Sequence, residues 1–345
     1  MKVLDPQQLP AFFAAVANSF DLRLPVMLAD GTRTIATLED GPIAMHGGAV
    51  LSKPTAAFFP QQDLVFSVVE EAALPAAEPA HRLFVAGFTH RDIDCLRFID
   101  RFFADGWRDD IYFRQRQDAV IAGVSGYCGP GGTQLALAGG GCDLEFVWDG
   151  SRWLVVTYSE TGGSIASEIE DTVADDVLDR LREESLSQVD ESEALIRRAS
   201  ELLRTNLVPD SFWGEIGDRC IACTGCNLAC PTCTCFGVQD WRYPQKVERS
   251  RMWDSCQLDG FMREASGHNP LGSEALRTRR RIHHKLAADP ERWGEISCFV
   301  CGRCDAACPT GIGILAVARE MVARFGSLRS LYVPDGVWLK RNSIL

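Results

Sequence analysis

Two identical cysteine runs constrain this chain more than any other feature of its sequence. They are Cys220-x2-Cys223-x2-Cys226-x3-Cys230-Pro231 and Cys298-x2-Cys301-x2-Cys304-x3-Cys308-Pro309. Three thiolates separated by two residues can each bind one corner of a single Fe4S4 cube, whereas the fourth, followed by proline, points away from it. Because the whole pattern occurs twice, we predict two [4Fe-4S] clusters and a role in carrying electrons.

This spacing is typical of bacterial two-cluster ferredoxins, in which the fourth cysteine of each run ligates the cluster of the other run. The predicted ligands are Cys220, Cys223, Cys226 and Cys308 for cluster 1, and Cys298, Cys301, Cys304 and Cys230 for cluster 2. Each cluster would then hold the loop of the other in place.

Structural zinc is the main alternative, since four thiolates also suit a tetrahedral zinc ion. Zinc sites usually combine two C-x2-C pairs that a long loop separates, whereas each run here supplies four thiolates within eleven residues. Disulfides are disfavoured because a chain without an export signal stays in a reducing compartment. The pattern therefore favours clusters.

Three further cysteines, Cys233, Cys235 and Cys256, lie near the runs but outside their spacing. Thiols near a cube can donate weak hydrogen bonds to its sulfurs, and this is the simpler interpretation. A third metal centre would need a fourth ligand, and the candidates are Cys128, Cys95, His268 and Asp254. Both interpretations stay open at this stage.

Composition and charge restrict the function class. The chain has 345 residues, 46% of them hydrophobic, which is enough for two or three domains with a sizeable core. A formal net charge of -12 disfavours general nucleic-acid binding. Met1–Leu24 lacks the pattern of an export signal, and the apolar stretch Leu9–Phe20 is too short to span a bilayer. We therefore expect a cytoplasmic protein without a membrane span.

The patterning predicts an α+β protein: a mixed α/β front domain with β-hairpins, then a helical, ferredoxin-like domain that carries both clusters. The expected ranges are 1–165 for the front domain, 166–208 for a helical linker, 209–325 for the cluster domain and 326–345 for a C-terminal extension. The predicted front-domain elements are hairpins around Asp30-Gly31 and Asp149-Gly150, strands over Arg82–Phe88 and Ala119–Val124, and a helix over Asp92–Phe103.

The segment Glu274–Ala288 is predicted to be a helix, because it is rich in helix formers and contains no proline or glycine. It carries most of the local positive charge of an acidic chain: Arg277, Arg279, Arg280, Arg281, His283, His284 and Lys285. These cations form a solvated face, neutralise cluster charge or face an acidic partner.

Beyond its two runs, the cluster region resembles the electron-transferring β subunits of soluble sulfhydrogenase-type nickel–iron hydrogenases, and the iron–sulfur subunit of anaerobic sulfite reductase is similar. The residues that carry the resemblance are Cys230-Pro-Thr-Cys-Thr-Cys-Phe236, Trp253-Asp-Ser-Cys256, Gly267-His-Asn-Pro270, the Arg-rich segment ending at His284-Lys285, Cys301-Gly-Arg-Cys304 and Cys308-Pro-Thr-Gly-Ile312. The resemblance is specific over roughly residues 210–325. In the front domain the chain departs from the family after Cys128, where Gly129-Pro130-Gly131-Gly132 replaces the expected cysteines.

The resemblance implies an iron–sulfur subunit that relays electrons within a soluble hydrogenase. Its implied partners are a subunit that binds flavin or NAD(P), and a small iron–sulfur or catalytic oxidoreductase subunit. It implies no catalytic residues in this chain, whose sequence shows no recognisable Ser/His/Asp or Cys/His constellation. Two alternatives remain: membership of an anaerobic sulfite reductase-type complex, and an interaction scaffold in which the clusters are structural.

Overall fold

The computed structural model describes residues 2–171, 175–187 and 190–327. The chain divides into two compact units. The first comprises the described residues up to Ser187 together with Ala229–Trp253, and the second comprises Asp190–Leu228 and the described residues from Asp254 onward. Helices and sheets both contribute, which confirms the predicted α+β class.

The first unit contains all the described strands. They are β1 (Lys2–Leu4), β2 (Asp21–Met27), β3 (Arg33–Ala36), β4 (Gln62–Val69), β5 (Ala72–Pro75), β6 (Leu83–Phe88), β7 (Val120–Gly126), β8 (Leu144–Trp148), β9 (Trp153–Thr157), β10 (Phe236–Arg242) and β11 (Val247–Trp253). Seven form a mixed sheet of order β1-β9-β8-β7-β6-β2-β3, in which β2, β6, β7 and β8 are parallel. The other four form an antiparallel sheet of order β10-β11-β4-β5.

Helices accompany these sheets. They are α1 (Leu9–Ala17), α2 (His90–Ala104), α3 (Asp110–Arg116), α4 (Glu160–Ile165) and α5 (Asp175–Ser187). Every residue of β6 and β7 is buried, as expected for central parallel strands with apolar sequences. Helix α2 begins where it does because Thr89 and Asp92 form a capping box, each side chain accepting a hydrogen bond from the backbone N–H of the other.

The predicted front-domain elements are confirmed. Strands β2 and β3 pair antiparallel around the first predicted turn, and β8 and β9 pair antiparallel around the second. Strands β6 and β7 and helix α2 occupy the other predicted segments. Two helices, α5 and the α6 helix described below, fall within the predicted linker.

The β10–β11 hairpin was not predicted, and its residues fall inside the range expected for the cluster domain. Strand β11 pairs with β4 from Val247 to Met252, so the hairpin extends the second sheet of the first unit. Arg251 strengthens this attachment, since its guanidinium binds Asp63 at 3.0 Å and Asp109 at 2.7 Å in a buried ion cluster. Periodicity within 236–253 carries no information about this distant partner strand.

The second unit is formed by helices. They are α6 (Glu191–Arg204), α7 (Asp210–Arg219), α8 (Gly225–Leu228), α9 (Glu274–His283), α10 (Asp289–Trp293), α11 (Arg303–Ala306) and α12 (Ile314–Phe325). A π-helical segment, His284–Ala288, continues α9. The predicted helix over Glu274–Ala288 is therefore confirmed as a helical segment, with wider winding in its last turn.

One apolar core holds this unit together. Phe212 and Trp213 of α7, Leu286 of the π-helical segment and Val317 of α12 are almost fully buried in it. Burying each such side chain contributes about 1.5–3 kcal/mol. The predicted C-terminal extension, 326–345, lies beyond Ser327 almost entirely outside the described residues. Across the ranges that the structure describes, no helix is long and apolar enough to cross a membrane.

Candidate metal centre

The first cysteine run occupies the loop that joins α7 to α8. Cys220 caps the carboxyl end of α7, and the chain then turns through Cys223 and Cys226. These three cysteines and Cys308 line one pocket of the second unit. The other lining residues are Ile221, Ala222, Thr224, Gln257, Thr278, Arg281, Ile282, Thr310 and Ile312. The fold thus brings Cys308 of the second run beside three thiols of the first.

The two runs share an unusual backbone conformation. In the first run, Ala222 and Thr224 have φ values of 53° and 64°; at the equivalent positions of the second, Val300 and Gly302 have 58° and 75°. Left-handed backbone is costly for alanine, threonine and especially valine. Such strain persists where a site requires it, and loops of this kind turn backbone N–H groups inward to form anion-binding concavities. Both runs therefore have the backbone of a loop that wraps an anionic group.

The likeness continues beyond these loops. Helices α8 and α11 begin five residues after Cys220 and Cys298 respectively, and the two short helices contact each other. After each fourth cysteine a threonine follows proline, and its Oγ1 lies 3.5 Å from the cysteine Sγ: Thr232 beside Cys230, and Thr310 beside Cys308. The sequence repeat is a structural repeat.

Hydrogen bonds prepare Cys308 to be a thiolate. Burial raises its pKa, but the Thr310 hydroxyl and the backbone N–H groups of Ile312, Thr310 and Gly311 more than offset burial and hold the pKa below its ordinary value. The Ile312 N–H lies 3.3 Å from the sulfur. Cys226 differs, since burial raises the pKa of its thiol and the nearby Arg281 charge only partly opposes that effect.

The cysteines of the second run lie in the same unit. Cys298 packs against the helical core, and Cys304 is buried in it. Val300 between them also packs there, which places the strained turn against a rigid support. Cys230 belongs to the first unit. Its assignment to the second cluster stays a prediction from the sequence.

The additional cysteines have varied surroundings. The Sγ of Cys256 accepts hydrogen bonds from Asn227 Nδ2 at 3.2 Å and Gln257 Nε2 at 3.8 Å, and Gln257 itself lines the pocket. Cys256 therefore fits a thiol beside the ligands. The carbonyl of Cys233 accepts a hydrogen bond from Lys53, and Cys235 is half-buried.

The candidates for a fourth ligand are dispersed. Cys95 and Cys128 are buried in the first unit, where the Cys128 thiol donates to the Ser125 carbonyl at 3.2 Å. His268 and Asp254 belong to the second unit. No observation favours a third centre.

The donor set suits a cube better than a single ion. A zinc ion needs all four ligands within about 2.3 Å of one point. Among residues 2–171, 175–187 and 190–327, no group of three or more His, Cys, Asp or Glu side chains is arranged to hold one metal ion. Four thiols spread around a shared pocket instead match an Fe4S4 cube, which takes each thiolate on a different iron.

Gln257 and Thr310 were not predicted as site residues. Gln257 donates to the Arg277 carbonyl at 2.8 Å and lies 3.9 Å from Cys220 Sγ. The repeated Cys-Pro-Thr sequence could have identified Thr310, because the same threonine follows both fourth cysteines. No comparable signal marks Gln257.

Comparison with known proteins supports these observations. Residues 219–312, which include all eight cysteines of the runs, match the 4Fe-4S dicluster domain. The chain is 28% identical over 284 residues to sulfhydrogenase 2 subunit beta of Pyrococcus furiosus, and the match covers 78% of this chain and 82% of that protein. No solved structure matches the chain significantly. The resemblance stated from the residues is thereby confirmed: this chain carries a 4Fe-4S dicluster domain and is a homologue of a sulfhydrogenase β subunit.

Proposed function

We propose that this chain is the iron–sulfur electron-transfer subunit of a soluble, cytoplasmic nickel–iron hydrogenase. The observation that carries the proposal is the pocket in which Cys308 joins Cys220, Cys223 and Cys226. The homology to a sulfhydrogenase β subunit supplies the class of complex. It also favours the hydrogenase over the sulfite reductase alternative.

The proposed cofactors are two [4Fe-4S] clusters, with the ligands predicted from the two runs: Cys220, Cys223, Cys226 and Cys308 for the first, and Cys298, Cys301, Cys304 and Cys230 for the second. A bound cluster supplies reversible electron transfer at a potential that nearby charges, hydrogen bonds and solvent access determine. The protein contributes thiolates on strained, preformed loops, N–H and hydroxyl donors around Cys308, and an apolar core behind the cysteines.

Partner subunits follow from the same reasoning. The relative is by its name one subunit of a larger enzyme. We propose a flavin/NAD(P)-binding subunit on one side of the electron path, and a small iron–sulfur or catalytic subunit on the other. The sequence offers no recognisable nickel, flavin or nicotinamide site, so the bond-making chemistry would belong to those partners.

Anaerobic purification of the complex from its natural source tests the proposal. The chain should contain about eight iron and eight sulfide, as two cubes require, with little zinc. Nickel and a large hydrogenase subunit should co-purify. The reduced complex should show EPR signals of [4Fe-4S] clusters.

Two outcomes would contradict the proposal. About two zinc ions per chain without iron would exclude an electron-transfer role. A sirohaem protein in place of nickel and the large hydrogenase subunit would instead assign the chain to a sulfite reductase.

A further inference from the structure

Arg281 lies within the wall of the pocket that contains Cys220, Cys223, Cys226 and Cys308. Only 4% of its surface is exposed, so its charge is held inside the second unit. Arginine stays protonated in proteins. A permanent positive charge is therefore buried beside four thiols.

Helix geometry explains why this arginine, among several neighbours, reaches the pocket. Ser273 caps the start of α9 by accepting a hydrogen bond from the Leu276 N–H. Residues three and four apart then share a face, and Thr278, Arg281 and Ile282 form the face that lines the pocket. Arg280, one residue earlier, is exposed.

The charge of Arg281 acts on the thiols of the pocket. It is the largest influence that lowers the pKa of Cys226 against the effect of burial. Two neighbouring arginines of α9 are directed elsewhere. Arg277 forms ion pairs with Glu274 and, at 3.5 Å, with Asp259, while Arg279 pairs with Asp210 at 2.8 Å near the surface.

We propose that Arg281 sets the reduction potential of the cluster bound by Cys220, Cys223, Cys226 and Cys308. This inference rests on the proposed function. A cluster held by four thiolates is anionic and gains a further negative charge on reduction. A buried cation stabilises the reduced state more than the oxidised state, because charges interact strongly where water is excluded. Arg281 therefore raises the potential of this cluster and makes it the better electron acceptor of the two.

Three variants of the complete complex test the proposal: Arg281→Gln removes the charge, Arg281→Lys keeps it, and Arg280→Gln removes an exposed charge from the same helix. The readout is an EPR-monitored redox titration of both clusters, with iron content measured in parallel. In Arg281→Gln the equilibrium constant for reducing one cluster should fall at least tenfold, which is a fall of about 59 mV for a one-electron couple. The other cluster should change less. Arg281→Lys and Arg280→Gln should keep both potentials near the wild-type values.

Each remaining outcome also decides the question. Fully loaded Arg281→Gln protein with unchanged potentials would overturn the proposal. If Arg281→Gln fails to bind iron, a loaded Arg281→Lys variant with wild-type potentials would support the role of charge, whereas loss of iron from both variants would show that Arg281 is only structural. Absence of clusters from the wild-type protein would instead refute the proposed function.

Discussion

At the scale of single residues, backbone strain in the two cysteine loops is the most informative feature. Val300 and Gly302 adopt left-handed backbone, as do Ala222 and Thr224 at the equivalent positions. The spacing of the cysteines predicted which thiols belong to each run. It could not predict this strain, because valine and threonine by themselves favour extended backbone.

Gly302 allows the strain to be measured. A Cβ at this position would meet no atom within 4 Å, so Gly302→Ala changes only the backbone preference. At a φ of 75° the alanine should cost about 1–2 kcal/mol of stability. We expect a lower melting temperature for the cluster-loaded protein, measured by circular dichroism, with iron content retained because Thr224 occupies the equivalent position.

Gly214→Ala is the matched control. Gly214 lies within α7, and a Cβ there also meets no atom within 4 Å. This substitution should raise stability by about 0.5–1 kcal/mol, since alanine favours a helix over glycine. Equal effects of the two substitutions would show that position 302 does not require left-handed backbone.

At the scale of secondary structure elements, the attachment of the β10–β11 hairpin depends on one buried arginine. Arg251 is 2% exposed and binds both Asp63 and Asp109. Burial raises the pKa of Asp63, and the Arg251 charge opposes this effect. Removing Arg251 would therefore leave a buried carboxyl group without its compensating charge.

Arg251→Ala should lower the free energy of unfolding by about 3–5 kcal/mol, as expected when one partner of a buried ion pair is lost. Arg249, on the same strand, pairs with Asp240 at the surface. Exposed pairs contribute little, so Arg249→Ala should leave stability nearly unchanged. Chemical denaturation of both variants gives the comparison. Similar losses from the two would mean that burial of the Arg251 cluster is unimportant.

Elements formed by local pairing were the predictable part of the fold. The turns Asp30-Gly31 and Asp149-Gly150 identified two hairpins, because each turn lies directly between its own strands. The second sheet was missed, since β11 pairs with β4, a strand far away in the sequence. Hydrophobic periodicity identifies a strand but not its distant neighbour.

At the scale of the whole molecule, the repeated cysteine pattern predicted the most about function. It identified the kind of cofactor, and the resemblance identified the kind of complex. The contributions of Arg281 and Gln257 could not be predicted in the same way. Their roles depend on which face of α9 and which side of the Cys256 segment turn toward the pocket.

The central claim is that a thiolate from the second run completes the first cluster. Low-temperature EPR of the reduced protein tests it most directly, by comparing Cys308→Ala with Cys223→Ala and Cys301→Ala. We predict that Cys308→Ala and Cys223→Ala lose the same cluster signal and keep the other, because Cys308 and Cys223 line one pocket. If Cys308→Ala instead loses the signal that Cys301→Ala loses, each run binds its own cluster and the crossed arrangement is wrong.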